Sequence, residues 1–194
     1  LDFLVVADHS DNMGFFPDLL DGAPHILKDP TGKDWYDRIK AGKGVAVAQE
    51  IIGLFSQDKF PPALVYAPTS DAYKNAWSNT VKAAEQFNEP GRFTAFIGYE
   101  WTSLVQGNNL HRVVVYRDGG DKGGQIVPYT TMPPLGSTNP RKLWEWLAQY
   151  ERKTGGEVLA IAHNGNLSNG MMFPLDVESD GKPLDAQYAQ QRDK

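Results

Sequence analysis

Four side chains stand where apolar runs of this sequence stop or start. His9 follows DFLVVA, Glu100 follows FTAFIGY, His163 follows EVLAIA, and His111 heads LHRVVVY. Three imidazoles and a carboxylate suit a divalent transition metal: neutral imidazole nitrogen and carboxylate oxygen are ligands of Zn²⁺, Mn²⁺ or Fe²⁺. A glutamate has two oxygens and can bridge two cations. Two such cations, roughly 3.5–4 Å apart, activate water and offset charge on a phosphoryl group. Asp8 and Asn164, the neighbours of His9 and His163, are the candidate catalytic or substrate-contacting residues. Arg112 and Arg117 are candidates for binding an anionic substrate.

Each residue read singly has an ordinary alternative. A histidine at a strand end is more often a hydrogen-bonded core or surface residue than a ligand, and Glu100 alone reads as a salt-bridge partner. Three polar breaks at the same point of three apolar strands carry more weight than any one of them. His25, in GAPHILKD, has no strand leading into it and reads as surface or packing. Trp35, Trp77, Trp144 and Trp146 fall at helical spacing and read as core; Trp101, beside Glu100, reads either way. The sequence has no nucleophile elbow G-x-S-x-G, no Walker loop and no H-E-x-x-H helix.

The elements that must position these residues follow from periodicity. Residues 2–7, 93–99, 110–116 and 157–162 read as short buried strands. Residues 34–56 read as a helix capped by Asp34 and weakened at Gly42 and Gly44, so that it can split in two. Residues 70–87 and 140–153 are amphipathic at close to 3.6 residues per turn. Residues 10–33 and 118–139 are rich in Gly and Pro and read as loops or short helical turns; 185–194 reads as a fraying helix. Strands alternating with helices point to an α/β fold with largely parallel strands and outer helices. In such folds the C-terminal strand ends share one rim, where ligands bind. His111 joins that rim if its strand runs antiparallel or lies beside Glu100.

Composition narrows the function. The chain has 194 residues, enough for one domain with its own core. A net charge of −5 with both signs scattered argues against a duplex nucleic-acid partner, which needs a basic face. No apolar stretch approaches the roughly 18 residues of a membrane span. The lack of cysteine excludes disulfides, thiolate ligands and cysteine nucleophiles.

Four blocks, LDFLVVADHSDNMG, FTAFIGYEWTS, NNLHRVVVYRD and GGEVLAIAHNGNLSNGMMFP, resemble the core blocks of the DUF3604 family, which is related to the polymerase and histidinol phosphatase (PHP) superfamily. The resemblance implies a distorted (β/α)₇ barrel holding two or three metals at its strand ends and hydrolysing phosphoesters. It implies that His9 ligates one metal, that Glu100 bridges, and that His111 and His163 complete a site with it. Members often carry Glu where this chain has Asp11. The family's early H-x-H pair and late D-x-H pair have no counterpart here. The chain is therefore expected to be an internal piece, a single PHP-like domain over 1–194 without the strands that carry those pairs. Opening on Leu1 inside a strand agrees with that. Members are often exported, so a periplasmic location is expected. The function expected is metal-dependent hydrolysis of phosphoesters, mono- or diesters, by metal-activated water, with a non-catalytic or degenerate metal-binding or structural module as the alternative.

Overall fold

The computed structural model describes residues 1–192. The chain opens with strand β1 (Phe3–Val5). Helices α1 (Phe15–Asp21), α2 (Pro24–Lys28), α3 (Pro30–Lys40) and α4 (Gly44–Ser56) follow. A 3-10 turn at Pro62–Leu64 leads to α5 (Asp71–Phe87). Side-chain caps explain two of these helix starts. The Asp29 carboxylate accepts from Thr31 N and Gly32 N at α3, and Ser70 Oγ accepts from Tyr73 N at α5. The helix expected over 34–56 is thus two helices, and the first begins one turn earlier, at the Asp29-Pro30 cap. Residues 10–33, expected as a loop or short helical turns, hold the short helices α1 and α2 and the start of α3.

Strands β2 (Thr94–Phe96) and β3 (Gly98–Trp101) are separated only by Ile97 and pair in different sheets. After β3 come β4 (Leu104–Val105), β5 (Asn108–Asn109) and β6 (Arg112–Tyr116). A single helical turn, α6 (Gly120–Gly123), and α7 (Pro140–Thr154) lead to β7 (Val158–Ala162) and finally α8 (Ala186–Arg192). The helical tail expected over 185–194 is α8, and residues 193–194 lie outside the described residues.

The fold is mixed α/β, but the expectation of largely parallel strands in a barrel is corrected. β1 pairs with β2 in parallel, whereas β3–β6–β7 is an antiparallel sheet, and no closed barrel forms among the described residues. The reason lies between β3 and β6. A parallel return needs a crossover of about a dozen or more residues, usually with a helix. Here the chain makes the β4–β5 hairpin instead, turning at Gln106 and Gly107 with φ of 51° and 80°. Positive φ at both central residues is the turn whose twist matches paired strands.

The antiparallel sheet has two unlike faces. Registered partners share a face, and residues alternate along each strand. Tyr99, Trp101, Arg112, Val114 and Tyr116 fall on one face and are buried. That face packs on α5 and α7: Trp77 meets Tyr99 and Tyr116 at 6.0 and 5.9 Å between rings, and Tyr150 meets Tyr116 at 4.9 Å. Trp35, Trp77 and Trp144 are buried as expected, Trp146 packs against the same core, and Trp101 belongs to it too. The other face carries Glu100, Val113 and Ile161, with Ile161 47% exposed.

The C-terminal segment is held to α7 by ion pairs. Arg141 grips Glu178 with Nε at 2.9 Å and Nη2 at 2.7 Å, and Nη2 also donates to Asp185 at 2.7 Å. Glu178 is buried, so removing its partner strands a carboxylate in the interior. Arg141→Met is expected to cost about 3 kcal/mol of folding free energy, read as a lowered denaturant midpoint.

Candidate metal centre

Sheet register explains why four distant residues meet. Glu100 lies at the end of β3 and pairs with Val113 near the start of β6. His111, two residues before Val113, therefore presents its ring on the face of Glu100. β7 runs antiparallel to β6 and pairs Val113 with Ile161, which places His163, two residues beyond, on the same face. His163 N donates to His111 O at 3.2 Å. His9 reaches the group through a single parallel bridge: Glu100 N donates to Asp8 O and Ser10 N to Glu100 O, both at 2.8 Å. The expected rim of parallel strand ends is in fact one end of an antiparallel sheet with β1's extension laid beside it.

Glu100 is the hub. Its Oε1 lies 2.7 Å from His111 Nδ1 and 2.6 Å from His163 Nε2, and its Oε2 lies 3.9 Å from His9 Nε2. The carboxylate and the His111 ring are buried, His163 is half-buried, and His9 is exposed. Burial alone pushes the Glu100 carboxyl up. The hydrogen bonds from His111 and His163, with the charges of His9 and His111, outweigh it and bring the carboxyl down to about 2. At neutral pH the hub is an anion.

Thr102 sets the state of His9. Its hydroxyl donates to Glu100 O at 3.0 Å, so towards His9 Nδ1, at 2.6 Å, it acts as an acceptor. His9 then carries its proton on Nδ1, and in the neutral ring the Nε2 lone pair faces Glu100 Oε2. Two electron-rich atoms 3.9 Å apart are too far for a hydrogen bond. Imidazole nitrogen and carboxylate oxygen are ordinary ligands of a divalent cation, which these two residues would help to hold. His9, Glu100 and His111 each offer a ligand atom within 4.8 Å of the others. His111 Nε2 is buried without a hydrogen-bond partner among the described residues, as is Ser10 Oγ beside His9. An orphaned imidazole nitrogen, a lone pair facing a carboxylate and an ionised hub are what a divalent cation requires, so these residues fit one. His163 lies against Glu100 but outside that three-residue group.

Thr102 was not singled out by sequence, because a threonine after an acid has no distinctive pattern. Thr102→Val keeps the shape and removes the acceptor for His9. It is expected to weaken metal binding about 10–100-fold, with Thr102→Ser restoring it, in a calorimetric titration with Zn²⁺ or Mn²⁺.

The remaining candidates divide. Asp8 and Asn164 are exposed beside His9 and His163, with no hydrogen bond from either side chain among the described residues; Asn164 sits at φ 57°. Both stay at the rim of the site. Arg112 does not: it alternates with His111 and points into the core, where it is buried between Trp101 and Trp144 at 5.8 and 5.5 Å. Arg117 lies past the far end of β6, roughly 20 Å from His111 at about 3.3 Å per residue, and pairs with Glu157 at 2.5 Å. His25 takes no part; its ring contacts Tyr66, whose hydroxyl donates to Asp18.

Asp11 is the other residue whose place the sequence hid. It lies two positions after His9, and its carboxylate accepts from Thr131 N at 2.7 Å and from the Thr131 hydroxyl. Burial pushes its carboxyl above the ordinary value, while the bonds from Thr131 and the charges of His9 and His111 act against this.

Fold and centre together define a mixed α/β protein with a buried glutamate flanked by three histidines at one end of a sheet. The chain belongs to the family described as protein of unknown function (DUF3604), which matches residues 1–194. No curated protein and no solved structure shows significant similarity to it. Among the described residues no helix is long and apolar enough to cross a membrane.

Proposed function

We propose that the protein is a metal-dependent hydrolase of anionic esters, phosphoesters first, of the kind the resemblance to PHP phosphoesterases implies. The observation that carries this reading is His9 Nε2 standing 3.9 Å from Glu100 Oε2, with the orphaned His111 Nε2 in the same cluster. His9, Glu100 and His111 would hold one cation, Zn²⁺ or Mn²⁺ with Fe²⁺ as a further choice, and His163, beside Glu100, would be a ligand of the second that the resemblance implies. A divalent cation there supplies Lewis-acid chemistry: it acidifies water and offsets the charge that develops on the ester oxygens. Glu100 stays ionised and fixes the rings of His111 and His163. Thr102 keeps the His9 lone pair turned inward. Asp8 and Asn164, exposed at the rim, offer a carboxylate to exchange a proton with the leaving group and an amide to hydrogen-bond the ester.

One observation favours a second reading. Both arginines expected to receive the anion lie elsewhere, which suits a metal-binding module without turnover. Elemental analysis of the purified protein, followed by assays on an aryl phosphomonoester and diester with added Mn²⁺ or Zn²⁺, separates the two. Turnover that His163→Ala abolishes along with the second cation supports the hydrolase. Metal without turnover supports the module, and absence of both overturns both readings.

A further inference from the structure

We propose that the cleft between α5 and α6 is a second binding site, for a small organic anion with an apolar body, whose charged group sits over Ser78 between Lys74 and Lys82. The site stands apart from the metal centre, because α5 packs on the sheet face opposite Glu100.

The cleft has a volume of about 820 Å³, within the range of small-molecule sites. Trp77, Val81 and Val127 give it apolar walls. Glycine shapes its other side. Gly120 N donates to Glu85 Oε1 at 2.7 Å, which ties α6 to α5. A Cβ at Gly120 would lie 2.9 Å from Val81 Cγ1, so the approach needs a residue without one. Gly120 and Gly124 both line the cleft and put no side chain into it. Trp77 is 2% exposed, and its Nε1–H has no hydrogen-bond partner among the described residues. A buried donor left unpaired in the wall of a cleft calls for an acceptor from outside the chain.

Charge states which ligand fits. Lys74, Ser78 and Lys82 are spaced four residues apart on one face of α5, about 6 Å from one to the next along the axis. Both lysines line the cleft, are exposed and pair with no carboxylate among the described residues. Ser78, between them, spends its hydroxyl on no hydrogen bond among the described residues. Each ammonium carries three donors on a flexible four-carbon stem, so both can turn to one anion over Ser78. The single carboxylate of the cleft, Glu85, lies about a turn beyond Lys82 and already accepts from Gly120 N. In a chain of net charge −5, two unpaired cations flanking a hydroxyl form a local anion seat. The apolar walls beside it take the organic body.

Calorimetric titration of the whole chain with octanesulfonate tests this; the probe is an anion at every working pH and a poor metal ligand. It is expected to bind at least tenfold more tightly than octanesulfonamide, which keeps the shape and lacks the charge, and than methanesulfonate, which lacks the apolar body. Replacing both lysines, Lys74→Gln with Lys82→Gln, is expected to weaken octanesulfonate at least tenfold. Ser78→Asp sets a carboxylate where the anion would sit and is expected to abolish binding, with the thermal melt unchanged. Glu100→Gln is expected to leave binding as it is. No heat of binding, equal binding of sulfonate and sulfonamide, or an affinity that survives the double lysine variant overturns the anion seat. Binding lost in Glu100→Gln places the probe at the metal centre and overturns the second site. A dimer in sedimentation that Ser78→Asp dissociates gives the cleft to a second copy of the chain instead.

Discussion

Glu100→Gln is expected to weaken metal binding by more than the roughly 100-fold that loss of an outer hydrogen-bond partner costs a metal site, and to abolish any metal-dependent hydrolysis. The substitution keeps the volume and removes the charge. Oε1 now accepts from His111 and His163 at once, and Oε2 faces the His9 lone pair. A neutral amide offers one acceptor and one donor. Wherever its NH₂ sits, it turns a donor towards a cation or a ring nitrogen. The fold should survive, because Glu100 lies on the sheet face away from the aromatic core of Tyr99, Trp101 and Tyr116. Elemental analysis after purification, with a thermal melt as the control for folding, checks both halves. Full metal stoichiometry in the variant would mean that Glu100 only orients the histidines.

The positions of these residues were legible because a polar break in an apolar strand survives any arrangement of the strands. The antiparallel arrangement differs from the parallel one expected, although its signals lie in the sequence. The polar stretch 103–109 leaves no room for a crossover helix, and Val105-Gln106-Gly107-Asn108 is a hairpin turn with glycine where positive φ falls. The alternation in LHRVVVY places His111, Val113 and Val115 on one face and Arg112, Val114 and Tyr116 on the other. Period two therefore separates His111 from Arg112 and keeps the arginine out of the site. Other parts lay beyond local pattern. Asp11 meets Thr131 across 120 residues, and Thr102 meets His9 across 93. Short polar side chains at such separations leave no periodicity, and only the folded sheet and the return of the 126–138 segment bring them together. The helices within 10–33 read from sequence only as a loop or short helical turns, because Pro and Gly there mark helix starts and ends, in pieces too short to show an amphipathic period.

Arg112→Ala is expected to destabilise the fold by about 3 kcal/mol, with metal content unchanged. The guanidinium is buried between the rings of Trp101 and Trp144, and its Nη1 donates to Leu110 O at 2.8 Å. No carboxylate pairs with it among the described residues. Burial opposes its charge, lowering its pKa to about 10, against the influence of Tyr188. Truncation to alanine removes the long side chain that separates two tryptophans and leaves a cavity between β6 and α7. Arg112→Met fills most of that volume and removes the cost of burying a cation, so it should recover the greater part of the loss. An arginine that anchored an anionic substrate would instead leave the denaturant midpoint of the alanine variant near that of the parent, and methionine would weaken phosphonate binding at least tenfold, the cost of a charge-assisted contact. Denaturant midpoints and phosphonate titrations of the two variants decide between a core strut and an anchor. The geometry predicts a shift in the midpoint for alanine and none in the affinity for either.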